Sequence, residues 1–112
     1  MSAKTDAVLW LAQRASAAVL ALCVTVHLAT IIYAVRGGLT AAEIFGRTRG
    51  SVGWAAFYAI FVLAAAVHAP IGLRPICTEW LRWQGRSRDV ALAFFAVVLL
   101  AMGFRAVFAV FA

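Results

Sequence analysis

A chain of 112 residues that is 66% hydrophobic and 12% charged, with a mean hydropathy of +1.00, lies outside the composition of soluble domains, where about a quarter of the residues are charged. That excludes an ordinary water-soluble enzyme. The net charge of +6 would suggest nucleic acid as a partner for a soluble protein, but here the bases flank apolar runs and have to be sorted by side of a membrane, so no nucleic-acid partner is expected.

The first apolar run is Trp10–Val35. Its apolar part from Ala15 onward exceeds the roughly 7–15 residues of a signal-peptide core, and no small-residue cleavage site follows, so it reads as a retained span. The connection Arg36 to Ser51 contains Gly37-Gly38 and then Thr40-Ala-Ala-Glu43. That capping-box pattern predicts one short helical turn over Ile44 and Phe45, lying as a lid at the membrane surface. The second run is Val52–Thr78. The connection Glu79 to Asp89 interleaves Trp80 and Trp83 with Arg82, Arg86 and Arg88, the chemistry of a headgroup-level segment. It reads as an aromatic belt with positive-inside charge, as a docking surface for a water-soluble partner, or as both. The third run is Val90–Ala112. Each run is long enough to cross roughly 30 Å of hydrocarbon, so the expected fold is all-α, one integral membrane domain of three transmembrane helices at about 10–35, 52–78 and 90–112.

Lys4, Arg14, Arg74, Arg82, Arg86 and Arg88 gather at one side, and Arg36, Arg47 and Arg49 at the other. The bias places the N-terminus and the 79–89 connection inside and the C-terminus outside. Cys23 and Cys77 fall at different depths, which predicts packing residues and no disulfide.

Ionisable groups inside the spans are costly and mark function or a dedicated partner. They are His27, His68, Arg14, Arg74 and Arg105, with no Asp or Glu in the middle of any span. That absence weighs against a proton-coupled multidrug transporter, which needs an intramembrane carboxylate. Imidazoles in a helix bundle hydrogen-bond neighbours, relay protons or ligate haem iron. On its own helix His68 shares a face with Ala64, Ala65 and Gly72, small residues that suit either the edge of a porphyrin or tight helix packing.

The stretch Val67-His68-Ala-Pro-Ile-Gly72-Leu-Arg74, with Glu79 five positions on, carries the pattern His-x-x-x-Gly-x-Arg. It resembles the second transmembrane helix of the cytochrome b anchor subunits of succinate dehydrogenase and fumarate reductase. Gln13-Arg14-Ala-Ser16-Ala17 is similar to that family's His-Arg-x-Ser-Gly near the start of its first helix, with Gln13 in place of histidine and Ala17 in place of glycine. The resemblance implies that His68 is an axial haem b ligand, that Arg74 meets a haem propionate, and that Arg14 and Ser16 serve a quinone site, with Arg14 also a candidate for a haem propionate. The family's other quinone-site serine falls on Trp10, so the details of that site do not carry over.

Two-haem members of the family carry a ligand in the first helix, which implies a second haem at His27, with Arg105 either at its propionate or snorkelling. By the helical rise His27 lies ~25 Å from Trp10 and His68 ~16 Å from Glu79, a mismatch of ~9 Å that favours two haems over one shared haem. Two bis-histidine haems need four histidines, so a second small membrane anchor subunit is expected to supply the rest, with a homodimer of this chain as the alternative. The resemblance further implies iron–sulfur and flavoprotein subunits docked on the side of Arg14 and residues 80–88, with electrons passing to or from membrane quinone, and dicarboxylate chemistry outside this chain. The reading from another class is a haem-free membrane protein of assembly or interaction, whose histidines only hydrogen-bond between helices.

Overall fold

The computed structural model describes residues 2–112. Four helices follow one another, α1 (Ala3–Arg36), α2 (Ala41–Thr48), α3 (Val52–Trp80) and α4 (Arg86–Phe111), and no strand occurs among the described residues. Of these, α1, α3 and α4 are long and apolar enough to cross a membrane, matching the three spans expected.

The boundaries differ from the apolar runs for local reasons. α1 begins at Ala3 and not at Trp10, because Ser2 caps it by accepting from the Thr5 N–H at 3.1 Å and Asp6 stands in the first turn, where a carboxylate complements the helix dipole. Its 34 residues reach ~51 Å, beyond the ~30 Å of hydrocarbon. α1 stops at Gly37-Gly38, with Gly38 at φ 64°. Thr40 and Glu43 form the expected capping box. The helix it starts is longer than the single turn expected, running 8 residues to Thr48 before Gly50 turns the chain at φ 69°. At the next junction the non-helical segment shrinks to residues 81–85. There Leu81 and Trp83 both donate backbone N–H groups to the Cys77 carbonyl, and Gly85 opens α4 at φ 93°.

α3 is the central helix: α1 and α4 each pack along it and make little contact with one another. It holds Pro70 and Pro75 inside its length, which membrane helices accommodate more readily than soluble ones. Buried residues are few and mostly small, namely Ser16 and Cys23 on α1 and Ala66, Pro70 and Cys77 on α3. Large apolar side chains such as Leu22, Val35, Phe94 and Phe108 face outward. Helices in lipid associate through close backbone approach and not by hiding apolar surface from water. Gly103 on α4 is such a point, since a Cβ there would stand 2.5 Å from a Val62 methyl on α3. Cys23 and Cys77 are buried free thiols.

Polar ties close both ends. At the α2 end, Thr48 Oγ1 donates to the Val110 carbonyl at 2.8 Å and the Gly50 N–H to the Phe111 carbonyl at 2.8 Å, satisfying acceptors that the end of α4 leaves open. At the opposite end, Arg88 donates to Thr78 Oγ1 at 2.6 Å and pairs with Asp89 at 2.9 Å. Arg74 lies 3.5 Å from the same carboxylate, so α3 and α4 are clamped by charge.

Candidate functional site

The antiparallel register of α1 and α3 brings together residues that are far apart in sequence. Ser16, buried on α1, donates to the Gln13 carbonyl at 3.1 Å, and its Oγ stands 3.4 Å from His68 Nδ1 on α3. One turn along, Gly72 faces Gln13: a Cβ at Gly72 would lie 3.0 Å from the Gln13 amide nitrogen. The glycine of the His-x-x-x-Gly-x-Arg pattern therefore makes room for a side chain of α1. Gln13 Oε1 is itself buried with no hydrogen-bond partner among the described residues, a polar atom that would ordinarily be satisfied. Neither the Ser16–His68 contact nor the Gln13–Gly72 contact was legible beforehand, because each depends on interhelical register.

Beyond Gln13 a groove of about 630 Å³ opens toward the charged end, lined by Trp10 and Arg14 of α1, Gly72, Arg74 and Glu79 of α3, and Arg88 of α4. Arg14 stacks its guanidinium over the Trp10 ring at 5.1 Å; the separation falls within the range of a cation–π contact. Arg14 and Trp10 thus share one site, while Ser16 turns away from it toward His68 and is absent from the groove lining. Asp6 and Thr78, not singled out from the sequence, also line the groove. Their only sequence signal is polarity near the end of a span.

The second imidazole lies toward the α2 end. His27 Nδ1 is 3.3 Å from the Tyr58 hydroxyl, and the ring meets Tyr58 and Phe61 edge-on with centroids 5.6 and 5.7 Å away. A cavity of about 400 Å³ adjoins it, lined by Tyr58, Phe61, Ala65, Gly103 and Ala106 among others. The small residues at His27 therefore come from α3 and α4 and not from its own helix. Ala65, grouped with His68 by helical spacing, borders the His27 cavity instead. Arg105 is exposed on α4 and does not line this cavity. Tyr58 and Phe61 precede His68 by two to three turns of α3, so the two imidazoles are ~10–15 Å apart along the bundle. That is at least the mismatch obtained from the helical rise. It is larger because Trp10 and Glu79 are not level: Ser16, six residues from Trp10, meets His68, eleven residues from Glu79.

Each histidine thus has a hydroxyl on the facing helix at Nδ1, which leaves Nε2 as the nitrogen for a further partner. A neutral imidazole held through one nitrogen is the donor set of a haem axial ligand, so the residues at His68 fit one side of a haem iron. The His27 site adds a cavity with small walls. No curated protein and no solved structure gives a significant match to the chain. The model of one family, described as the succinate dehydrogenase/fumarate reductase transmembrane subunit, matches residues 1–108. With three apolar helices long enough to cross a membrane, polar residues of α1 and α3 meeting between them, and that match over nearly its whole length, this chain belongs to the succinate dehydrogenase/fumarate reductase transmembrane subunit family, whose members are membrane anchors.

Proposed function

We propose that this anchor binds haem b, contributes to a quinone site and tethers an iron–sulfur and a flavoprotein subunit, so that electrons pass between the soluble subunits and membrane quinone. The observation that carries the reading is the placement of His68, between two helices with Nδ1 against Ser16 Oγ and Nε2 left over, within the His-x-x-x-Gly-x-Arg pattern. Haem b, when bound, supplies a one-electron carrier inside the membrane. His68 would hold it on the side nearer the groove and His27 would hold a second one beside its cavity. Opposing ligands would come from a second small membrane anchor subunit. Arg74 would approach the propionates of the first haem; Arg105, exposed on α4 outside the His27 cavity, would instead snorkel toward the surface.

The groove at Trp10 and Arg14 suits a quinone headgroup. Its apolar walls take a ring, and the Arg14 guanidinium donates to a ring oxygen and stabilises the negative charge that develops there on reduction. The groove end also bears the basic residues of the 80–88 segment, which supports docking of the soluble subunits on that side, with the N-terminus and this segment inside and the C-terminus outside.

A second reading has its own observation. Ser16 and Tyr58 already give both histidines a hydrogen-bond partner within the chain, which is all that a structural histidine in a haem-free anchor of assembly or interaction needs. A reduced-minus-oxidised absorption spectrum of the purified complex separates the two. A b-type alpha band that is lost with His68 supports the haem reading, and its absence from the wild-type complex leaves the haem-free anchor.

A further inference from the structure

The Ser16 hydroxyl has one hydrogen to donate and two acceptors in reach, the Gln13 carbonyl at 3.1 Å and the His68 ring at 3.4 Å. Serine within a helix characteristically returns its hydrogen to a carbonyl three or four residues back, and here that contact is the shorter one. With its hydrogen directed at Gln13, Oγ turns only lone pairs toward Nδ1. A hydrogen bond between them then requires the imidazole proton to sit on Nδ1.

We infer that Ser16 is a positioning residue that holds His68 in the Nδ1–H tautomer, with Nε2 unprotonated. In its consequence the inference rests on the proposal that His68 ligates haem iron. Only the nitrogen without a proton can ligate, and an acceptor on the opposite N–H both orients the ring and raises its basicity. His27 lacks this device. Its partner Tyr58 is a phenol with a hydrogen of its own and no other hydrogen-bond acceptor among the described residues, so Tyr58 donates to Nδ1 and favours the proton on Nε2, the tautomer that has to be exchanged before Nε2 can ligate. Of the two imidazoles, His68 alone is set to ligate by the chain itself.

The direct test is the ¹⁵N spectrum of the histidines in the reduced complex, reconstituted in lipid, for wild type and Ser16→Ala. A protonated Nδ1 at His68 in wild type is the expected result; in the variant its N–H resonance loses the hydrogen-bonded shift where iron occupies Nε2, and the tautomer preference itself is lost where no haem is bound. A protonated Nε2 at His68 in wild type overturns the inference whatever the haem content. The second measurement is a potentiometric titration of the haem assigned to His68. Ser16→Ala retains the haem and shifts its midpoint potential upward, since a less basic imidazole stabilises ferric iron less, and Ser16→Thr restores the wild-type value. An unchanged potential in Ser16→Ala overturns the positioning role. If no haem depends on His68, the ligand proposal fails by itself, and the ¹⁵N result still decides the tautomer.

Discussion

Ser16 and His68, 52 positions apart in sequence, meet across the α1–α3 interface with Oγ 3.4 Å from Nδ1. Two residues that belong to separate sequence motifs are thereby joined in one hydrogen-bonded unit, while Arg14, two residues from Ser16, belongs to the open groove with Trp10.

Truncation of the proposed ligand, His68→Ala, leaves one haem iron without an axial partner from this chain. The expected outcome is loss of one haem per complex, read by pyridine haemochrome assay, together with lower thermal stability because a bound cofactor stabilises the folded bundle by mass action. A full haem complement with unchanged midpoint potentials in the variant removes His68 from the ligand set.

His27→Leu tests the second site in the same assay. A complex with two haems should fall to one, with the spectrum of the His68 haem intact, because the two imidazoles are ~10–15 Å apart along the helices and have no side-chain partner in common. A single haem in wild type that survives this substitution assigns His27 to hydrogen bonding with Tyr58 alone.

Arg14→Leu keeps the apolar stem of the side chain over Trp10 and removes the charge. Loss of a donor to developing negative charge slows such steps by about 100-fold or more. Quinone reduction should therefore fall by that order, while reduction of an artificial dye that accepts from the soluble subunits is maintained. Equal loss of both activities would show that Arg14 acts through assembly.

Two glycines separate by what faces them. At Gly72 an added Cβ meets only the amide end of Gln13 at 3.0 Å, a flexible group that can retreat, and alanine also relieves the helix of a glycine worth roughly 0.5–1 kcal/mol. Gly72→Ala should be close to neutral in thermal stability. At Gly103 the Cβ meets Val62 methyls at 2.5 and 2.8 Å, and Val62 is β-branched with little rotamer freedom. Gly103→Ala should destabilise the α3–α4 pair by about 1–3 kcal/mol, seen as a lower unfolding midpoint of the purified complex in detergent. The reverse ranking would mean that α4 packs on α3 in another register.

Composition and apolar run length determined that this is a membrane protein of three spans, since the cost of an unsatisfied backbone in lipid leaves a chain of this kind no other way to cross. The capping box at Thr40 and Glu43 was equally legible, because a cap is decided by residues three apart on one helix. The presence of His27 and His68 within spans, and the chemistry open to them, could also be read directly, since an imidazole in an apolar run stands out by residue type alone. Their surroundings could not. On one helix Arg14 and Ser16 differ by ~200° about the axis, so the motif that joins them in sequence points one at the groove and the other at His68. Ala65 and Gly72 look alike beside His68 by spacing, yet one borders the His27 cavity and the other admits Gln13. Local periodicity carries no information on how far one helix slides along another. That register is set by which side chains interlock across the interface, and only the packed tertiary structure decided that Ser16 meets His68 and Tyr58 meets His27.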